Sequence, residues 1–354
     1  MTKVECFVID ETNLTNIANA VREKTNTKDK YTISDIPKLI SENCTSVDQE
    51  SANSFVSLYD NSLGANCKKL PEGITTIGRY AFGGKTNLAL TSLPDSLTTI
   101  EERGFYKCTN LALTSLPNSI TSIGRYAFQY CSSLAIKEIP SSITMLDTGV
   151  FDECVGLTTL KLPNTLTSIG DYAFKECLNL QLSTFPTSVT SIGYRAFFEC
   201  NSITSLDIPN SVTFIDEGAF SYNPNLQTVI FRGNLTKLSD NIFEQCTGLT
   251  KATFMGDVID VGYYAFNGCK KLQEVVINGN VSTMDDHVFG DTAINKLVLR
   301  NVTSVPIIDV WTFLWSPIYD GTGYIYVPDN LVSSFKTATN WSTYAAQIRG
   351  LSQL

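Results

Sequence analysis

The chain has 354 residues, of which 43% are hydrophobic and only 17% charged, with a formal net charge of −9. That composition predicts a folded, weakly charged body, and an acidic chain without a long Lys/Arg cluster has little to offer a phosphate backbone, so nucleic acid is excluded as an expected partner. The single histidine, His287, leaves no parts for a His-containing triad or a His-rich metal site, and no stretch nears the roughly 20 apolar residues that span a bilayer.

The first ten residues carry acids inside a short apolar run and lack a small-residue cleavage site, so no Sec signal peptide is predicted in the chain as written. Leu14, Ile17, Ala18 and Val21 fall at i, i+3, i+4 and i+7, the spacing of an amphipathic helix, and a second short helix is expected near Ser34-Asp-Ile-Pro37. Residues 42–54 read as a polar linker that continues to about residue 66. Residues 1–50 are expected to cap the open apolar end of the first repeat.

From residue 67 to about 300 the chain repeats. Phe82, Phe105, Phe128, Phe151, Phe174, Phe197, Phe220, Phe243, Phe266 and Phe289 are each 23 residues apart, and Ile77, Ile100, Ile123, Leu146, Ile169, Ile192, Ile215, Leu238, Val261 and Met284 keep the same phase. A period of this length predicts a solenoid of ten rungs, mostly β, with a parallel strand spine. The rung Leu157 to Cys177 reads as a strand, a proline turn at Pro163, a short extended piece, and a helical turn from Gly170 to Phe174. Rungs at Leu88, Leu111, Leu134 and Leu180 place the next apolar residue two positions on. Those at Leu157 and Ile203 place it three on, so the inward register of the strand is expected to vary. A one-residue deletion near Asp291 to Ile294 ends the strict phase.

Seven cysteines share one column, Cys108, Cys131, Cys154, Cys177, Cys200, Cys246 and Cys269, with Asn223 in the remaining place. Stacked side chains point in parallel rather than toward one another, and Asn cannot form a disulfide but can hydrogen-bond backbone, so a reduced, buried structural ladder is expected. The spacing is not that of a metal site, and no cofactor is expected. Gly83-Gly84-Lys85-Thr86 is not a phosphate loop, because Arg79 stands where the motif needs glycine.

His287 falls in the column Tyr80, Arg103, Tyr126, Gly149, Tyr172, Arg195, Gly218, Asn241 and Tyr264, read as an exposed rim, beside a column in which Arg79, Glu102 and Arg125 are placed to pair across rungs. Tyr80, Tyr126, Tyr172 and Tyr264 are candidate stacking platforms for sugar or protein, against the simpler reading of a solvated edge. The outward strand face is small and polar at Ser92, Ser115, Thr159, Lys161, Thr184, Ser205 and Asp207. Toward the C-terminus it becomes Ile230 and Val276, an apolar binding patch if exposed. Trp311, Trp315 and Trp341 all follow the repeats, and residues 301–354 read as a capping segment that buries Val327, Leu331, Phe335 and Trp341. Carbohydrate stacking on Trp311 or Trp315 is the alternative use of these rings.

The consensus Leu-Pro-Asn-Ser-Ile-Thr-Ser-Ile-Gly-Arg-Tyr-Ala-Phe-Gln-Tyr-Cys over residues 116–131 resembles the BspA-like leucine-rich-repeat family, over about residues 67–328. That resemblance implies a curved leucine-rich-repeat solenoid of the kind found in bacterial surface, adhesive and phage-associated proteins. The segment from Ile17 to Pro37 resembles short modules of phage and prophage tail proteins, which implies attachment to a particle. The expected function is therefore non-enzymatic binding of protein or carbohydrate on a cell surface, as part of a phage or prophage tail. The alternative is a bacterial cell-surface adhesin binding host protein or glycan.

Overall fold

The computed structural model describes residues 69–70 and 73–354, and the helices and linker expected ahead of the repeats lie outside the described residues. From there the chain forms a parallel β-solenoid with three faces. On the first, two- to four-residue strands from Thr76–Ile77 to Ile307–Ile308 stack in parallel, rung upon rung. The second carries a seven-stranded parallel sheet running from Ser205–Ile208 to Ile348–Gly350. The third is a stack of turns. A single rung could not bury Leu166, Ile169 and Phe174; between two neighbours all three are fully enclosed.

The broad sheet begins only at Ser205 for a reason written in the apolar spacing. In the rungs at Leu88, Leu111, Leu134 and Leu180 the buried residues are the first, third and sixth, as in Leu88, Leu90 and Leu93. A strand needs alternation, and the change from two-residue to three-residue spacing interrupts it. From Ile203 onward the buried residues are the first, fourth and sixth, as in Ile203, Leu206 and Ile208, whose last two alternate correctly. The Leu157 rung has this spacing too, but its neighbours do not, and it makes only isolated bridges, Glu138 to Lys161 and Thr159 to Gln181.

The segment Gly170–Phe174, expected to be a helical turn, is instead a run of overlapping β-turns. Ala173 N–H donates to the Gly170 carbonyl (3.2 Å) and Lys175 N–H to that of Tyr172 (3.1 Å). The intervening N–H groups of Tyr172, Phe174 and Glu176 leave the rung and donate to the carbonyls of Tyr194, Ala196 and Phe198 at 2.7–2.8 Å. Left-handed backbone at Tyr172 (φ 56°) and Glu176 (φ 55°) produces this alternation, and no helix can continue through it. Such a conformation costs a non-glycine residue about 1–3 kcal/mol and persists where the surroundings hold it.

Register fixed in this way stacks the phenylalanines directly. From Phe82 to Phe289 and on to Phe313, successive ring centroids lie 5.1–5.8 Å apart with planes within 17°. The cysteine column lies alongside and is buried and unbridged. Each thiol donates to the phenylalanine carbonyl of the preceding rung, as in Cys108 to Phe82 (3.0 Å), Cys177 to Phe151 (3.1 Å) and Cys269 to Phe243 (3.1 Å). Asn223 donates through Nδ2 to Phe197 (2.9 Å) and Phe220 (2.7 Å), and its Oδ1 is buried without a partner. Two hydroxyls continue the column, Thr292 in phase and Ser316 one residue beyond it, and donate to Phe289 and Phe313 in their own rungs (2.8 and 2.7 Å). Burial pushes these thiols up, to about 12 for Cys108 and Cys246.

The one-residue deletion is visible as pairing of Leu297 with Val275, and a longer connection then restores the stack at Phe313. Residues 301–316 therefore form another turn of the solenoid rather than the start of the cap. The cap proper follows. Tyr344 meets Phe313 edge-on (5.2 Å), and Trp341 packs on Phe313 and Phe335 while its Nε1–H donates to the Pro306 carbonyl (2.7 Å). Val327, Phe335 and Trp341 are fully buried, and Leu331 is half-buried against the same core.

Truncating one ring should be felt locally, because contacts are between neighbours. Phe174→Ala is expected to cost about 3 to 5 kcal/mol. In hydrogen exchange, the lost protection should centre on residues 151–197, and uniform loss along the chain would contradict the nearest-neighbour account. The seven column thiols should resist iodoacetamide at pH 8 in the folded protein and react together on denaturation, as read by peptide mass spectrometry. Rapid native labelling would overturn the ladder.

Candidate functional site

The side chains that vary along the solenoid sit on the turn face, where the backbone geometry is constant. In the first rungs Arg103 lies between two tyrosines, 5.4 Å from the Tyr80 ring centroid and 4.8 Å from that of Tyr126. Its Nη1 donates to the Tyr80 hydroxyl and to Glu102, both at 2.8 Å. Glu102 also pairs with Arg79 (3.4 Å), but it turns to Arg103 rather than to Arg125. Gly149 lies against the Cδ1–Cε1 edge of the Tyr126 ring; its φ is 60°, and any Cβ there would overlap those two atoms.

Those contacts settle how far each predicted platform is open. Tyr80 is 45% exposed, whereas Tyr126, Tyr172 and Tyr264 are half-buried. Tyr126 has Arg103 over its ring and Gly149 against one edge. Tyr172 meets Tyr194 edge-on (5.2 Å), and Tyr264 stacks on His287 (5.1 Å, 17°). The half-covered rings are spaced by residues of the next rung, and this removes the row of free platforms. The Ile230 and Val276 patch is also absent: Val276 is 7% exposed and Ile230 half-buried. Val276 pairs in register with Val298 and Thr253, in a sheet whose neighbouring column holds the Lys251–Glu274–Lys296 ion pairs.

Exposed apolar surface gathers elsewhere, at the C-terminal end of the turn edge. Trp315 is 67% exposed and Ile307 73%, with Trp311, Val310 and Tyr263 exposed beside them. His287 joins Tyr264 to Trp315, 6.5 Å from the latter, and its Nδ1 lies 2.7 Å from Asp286. A groove of about 330 Å³ opens between Tyr263, Ile307 and the carboxylates of Asp285, Asp286 and Asp309. Burial, together with the charges of Asp240, Asp260 and Asp309, pushes the Asp285 carboxyl up despite Lys237 nearby. Of the residues predicted from sequence, the structure unites Tyr264, Trp311 and Trp315. Tyr263, Ile307 and Asp309 were not expected there, although Tyr263 stands in the column of Arg79 and Ile307 in that of Thr76, each a change of character.

A second cluster lies at mid-edge. Asp152 accepts from Gln129 Nε2 (2.7 Å) and faces Lys175 (3.7 Å), with Glu153 and Glu176 on the same lysine. Its side chain is 8% exposed, and one carboxylate oxygen has no hydrogen-bond partner. Burial pushes its pKa up from 3.8 to about 6, against the pull of Lys175. The folded state thus holds a proton that the unfolded chain releases, so this group's contribution to stability falls as pH rises from about 4 to about 6. Asp152→Asn should melt higher than the parent at pH 7 and at the same temperature near pH 4; a constant difference across that range would refute the assignment.

Among the described residues, no helix is long and apolar enough to cross a membrane. Among curated proteins, none matches the chain. Its fold is similar to that of a leucine-rich repeat protein from Bacteroides ovatus, with 20% identity over 84% of this chain and 87% of that one and a TM-score of 0.58. A leucine rich cell surface protein from Faecalibacterium prausnitzii is 24% identical over 69% of this chain and 82% of its own, at a TM-score of 0.40. The BspA type leucine rich repeat region matches in six copies over residues 56–181, 144–271 and 190–316. With its phenylalanine and thiol columns in the rungs so matched, the chain belongs to the BspA-type leucine-rich-repeat family.

Proposed function

We propose that the chain is a non-enzymatic binding module that presents the C-terminal end of its turn edge to a protein or glycan on a cell surface. The observation that carries this reading is the exposure of Ile307, Val310, Trp311 and Trp315 together on the strand Ile307–Ile308 and the turns that follow it. The core is closed without them, since Trp341 and Tyr344 already cover Phe313, the last ring of the stack, with Phe335 packed on Trp341, so these side chains are not needed for capping. Large apolar groups held in water on a fixed scaffold are the usual anchors of an interface. A cell-surface adhesin is the setting that family membership supports. Attachment to a phage or prophage tail through residues 1–50 is the second setting, favoured by the segment from Ile17 to Pro37, which lies outside the described residues.

Mass spectrometry of washed cell-surface fractions, beside particles purified after phage induction, separates the two settings. Binding of the labelled chain to intact cells should fall at least tenfold in Trp311→Ala/Trp315→Ala with the melting temperature unchanged. Undiminished binding by that variant would remove the edge from the interface.

A further inference from the structure

We propose that the groove between Tyr263, Ile307 and the carboxylates of Asp285, Asp286 and Asp309 is a docking site for a cationic segment of a partner protein, whose Lys or Arg side chain lies against Trp311 and Trp315. The proposal rests on the reading of this edge as the binding surface and names the chemistry that the edge accepts.

The chain contains its own template for such a contact. In the first rungs one turn column runs Tyr80, Arg103, Tyr126 and the adjacent column Arg79, Glu102, Arg125. There a guanidinium sits between aromatic rings with a carboxylate at 2.8 Å, and two more cations flank it. In the last rungs the corresponding positions, counted back from Phe266, Phe289 and Phe313, are Tyr264, His287, Trp311 and Tyr263, Asp286, Val310, and it is Trp315 that completes the pair of rings about His287, with Asp286 2.7 Å away. The rings and the carboxylate remain, while all three arginine positions have become His, Tyr and Val. Among the described residues, His287 lies 2.7 Å from Asp286 and Lys237, paired with Asp240, is within electrostatic reach of Asp285, but no Lys or Arg forms an ion pair with Asp285, Asp286 or Asp309. The electron-rich faces of the tryptophans attract a cation, and the carboxylates supply its counter-charge. A neutral sugar would use the rings but leave the crowded carboxylates uncompensated, so charge complementarity favours a basic protein segment.

Fluorescence anisotropy with the full chain and a fluorescein-labelled nona-arginine peptide tests this, with maltoheptaose and chitohexaose titrated separately against tryptophan emission. Peptide binding is expected to weaken at least tenfold in Asp285→Asn/Asp309→Asn and in Trp315→Ala. It should change less than twofold in Asp147→Asn/Asp216→Asn, which removes the same charge from the edge of distant rungs. Equal weakening in both double variants would reduce the effect to overall charge and overturn the site. Failure of the peptide to bind would also overturn it. If an oligosaccharide quenches the parent but not Trp315→Ala, the surface is real and its ligand is a glycan, which sinks this proposal while leaving the binding reading intact. If cell binding survives loss of both tryptophans, the binding reading itself fails at this edge.

Discussion

Along the turn face the N–H groups of Tyr172, Phe174 and Glu176 leave their own rung for carbonyls of the next, and the same pattern recurs at Arg103, Phe105 and Lys107. Three bonds per rung at a fixed offset leave no freedom for slippage. Direct stacking of the phenylalanines follows from that register, as does the meeting of each thiol with the carbonyl one rung back. An N–H aimed out of the rung and left unmet would cost about 1–3 kcal/mol. The ladder therefore holds the left-handed residues in place, and those residues aim the ladder.

A backbone held so firmly separates geometry from chemistry. Tyr, Arg, Gly, Asn and His all occupy the Tyr172 column, and those described with positive φ fall within 48–62°. Differences between rungs are consequently differences of side chain alone. Arg103 and His287 stand on equivalent backbone, one with its guanidinium enclosed by tyrosines and the other between Tyr264 and an exposed tryptophan. The broad sheet behaves otherwise: its apolar spacing changes between rungs, and the strand itself appears or disappears accordingly.

What the sequence disclosed follows the same division. Phe82 to Phe289 announced the core because a buried ring in a constant environment must recur, and the Leu157 and Ile203 spacings announced a changing strand register. The turn between Gly170 and Phe174 was illegible as such, since Tyr and Glu at its left-handed positions carry none of the signal glycine would give; only Gly84, Gly149, Gly218 and Gly268 in those columns hint at it. Three of the four tyrosine platforms, Tyr126, Tyr172 and Tyr264, are half-covered for a related reason. A ring's neighbour is the residue 23 positions away, and Arg103 over Tyr126, with Gly149 against its edge, turns an apparent surface aromatic into a half-covered one. The extra turn at Phe313 was hidden by compensating changes in rung length.

Charge along the turn face is segregated in a way stability does not require. The first three rungs hold Arg79, Lys85, Arg103, Lys107 and Arg125 against Glu101 and Glu102, and the rings there are engaged by cations of the same chain. From Asp147 onward acids predominate, and at the far end they stand beside the largest exposed rings. Exposed ion pairs contribute at most about 1 kcal/mol each, so losing the cations there costs the fold little. Their absence leaves exposed aromatic faces beside carboxylates that, among the described residues, no Lys or Arg meets in an ion pair. A solenoid whose core is already closed gains nothing in folding from that arrangement, and what it gains is an open site for a cation from outside.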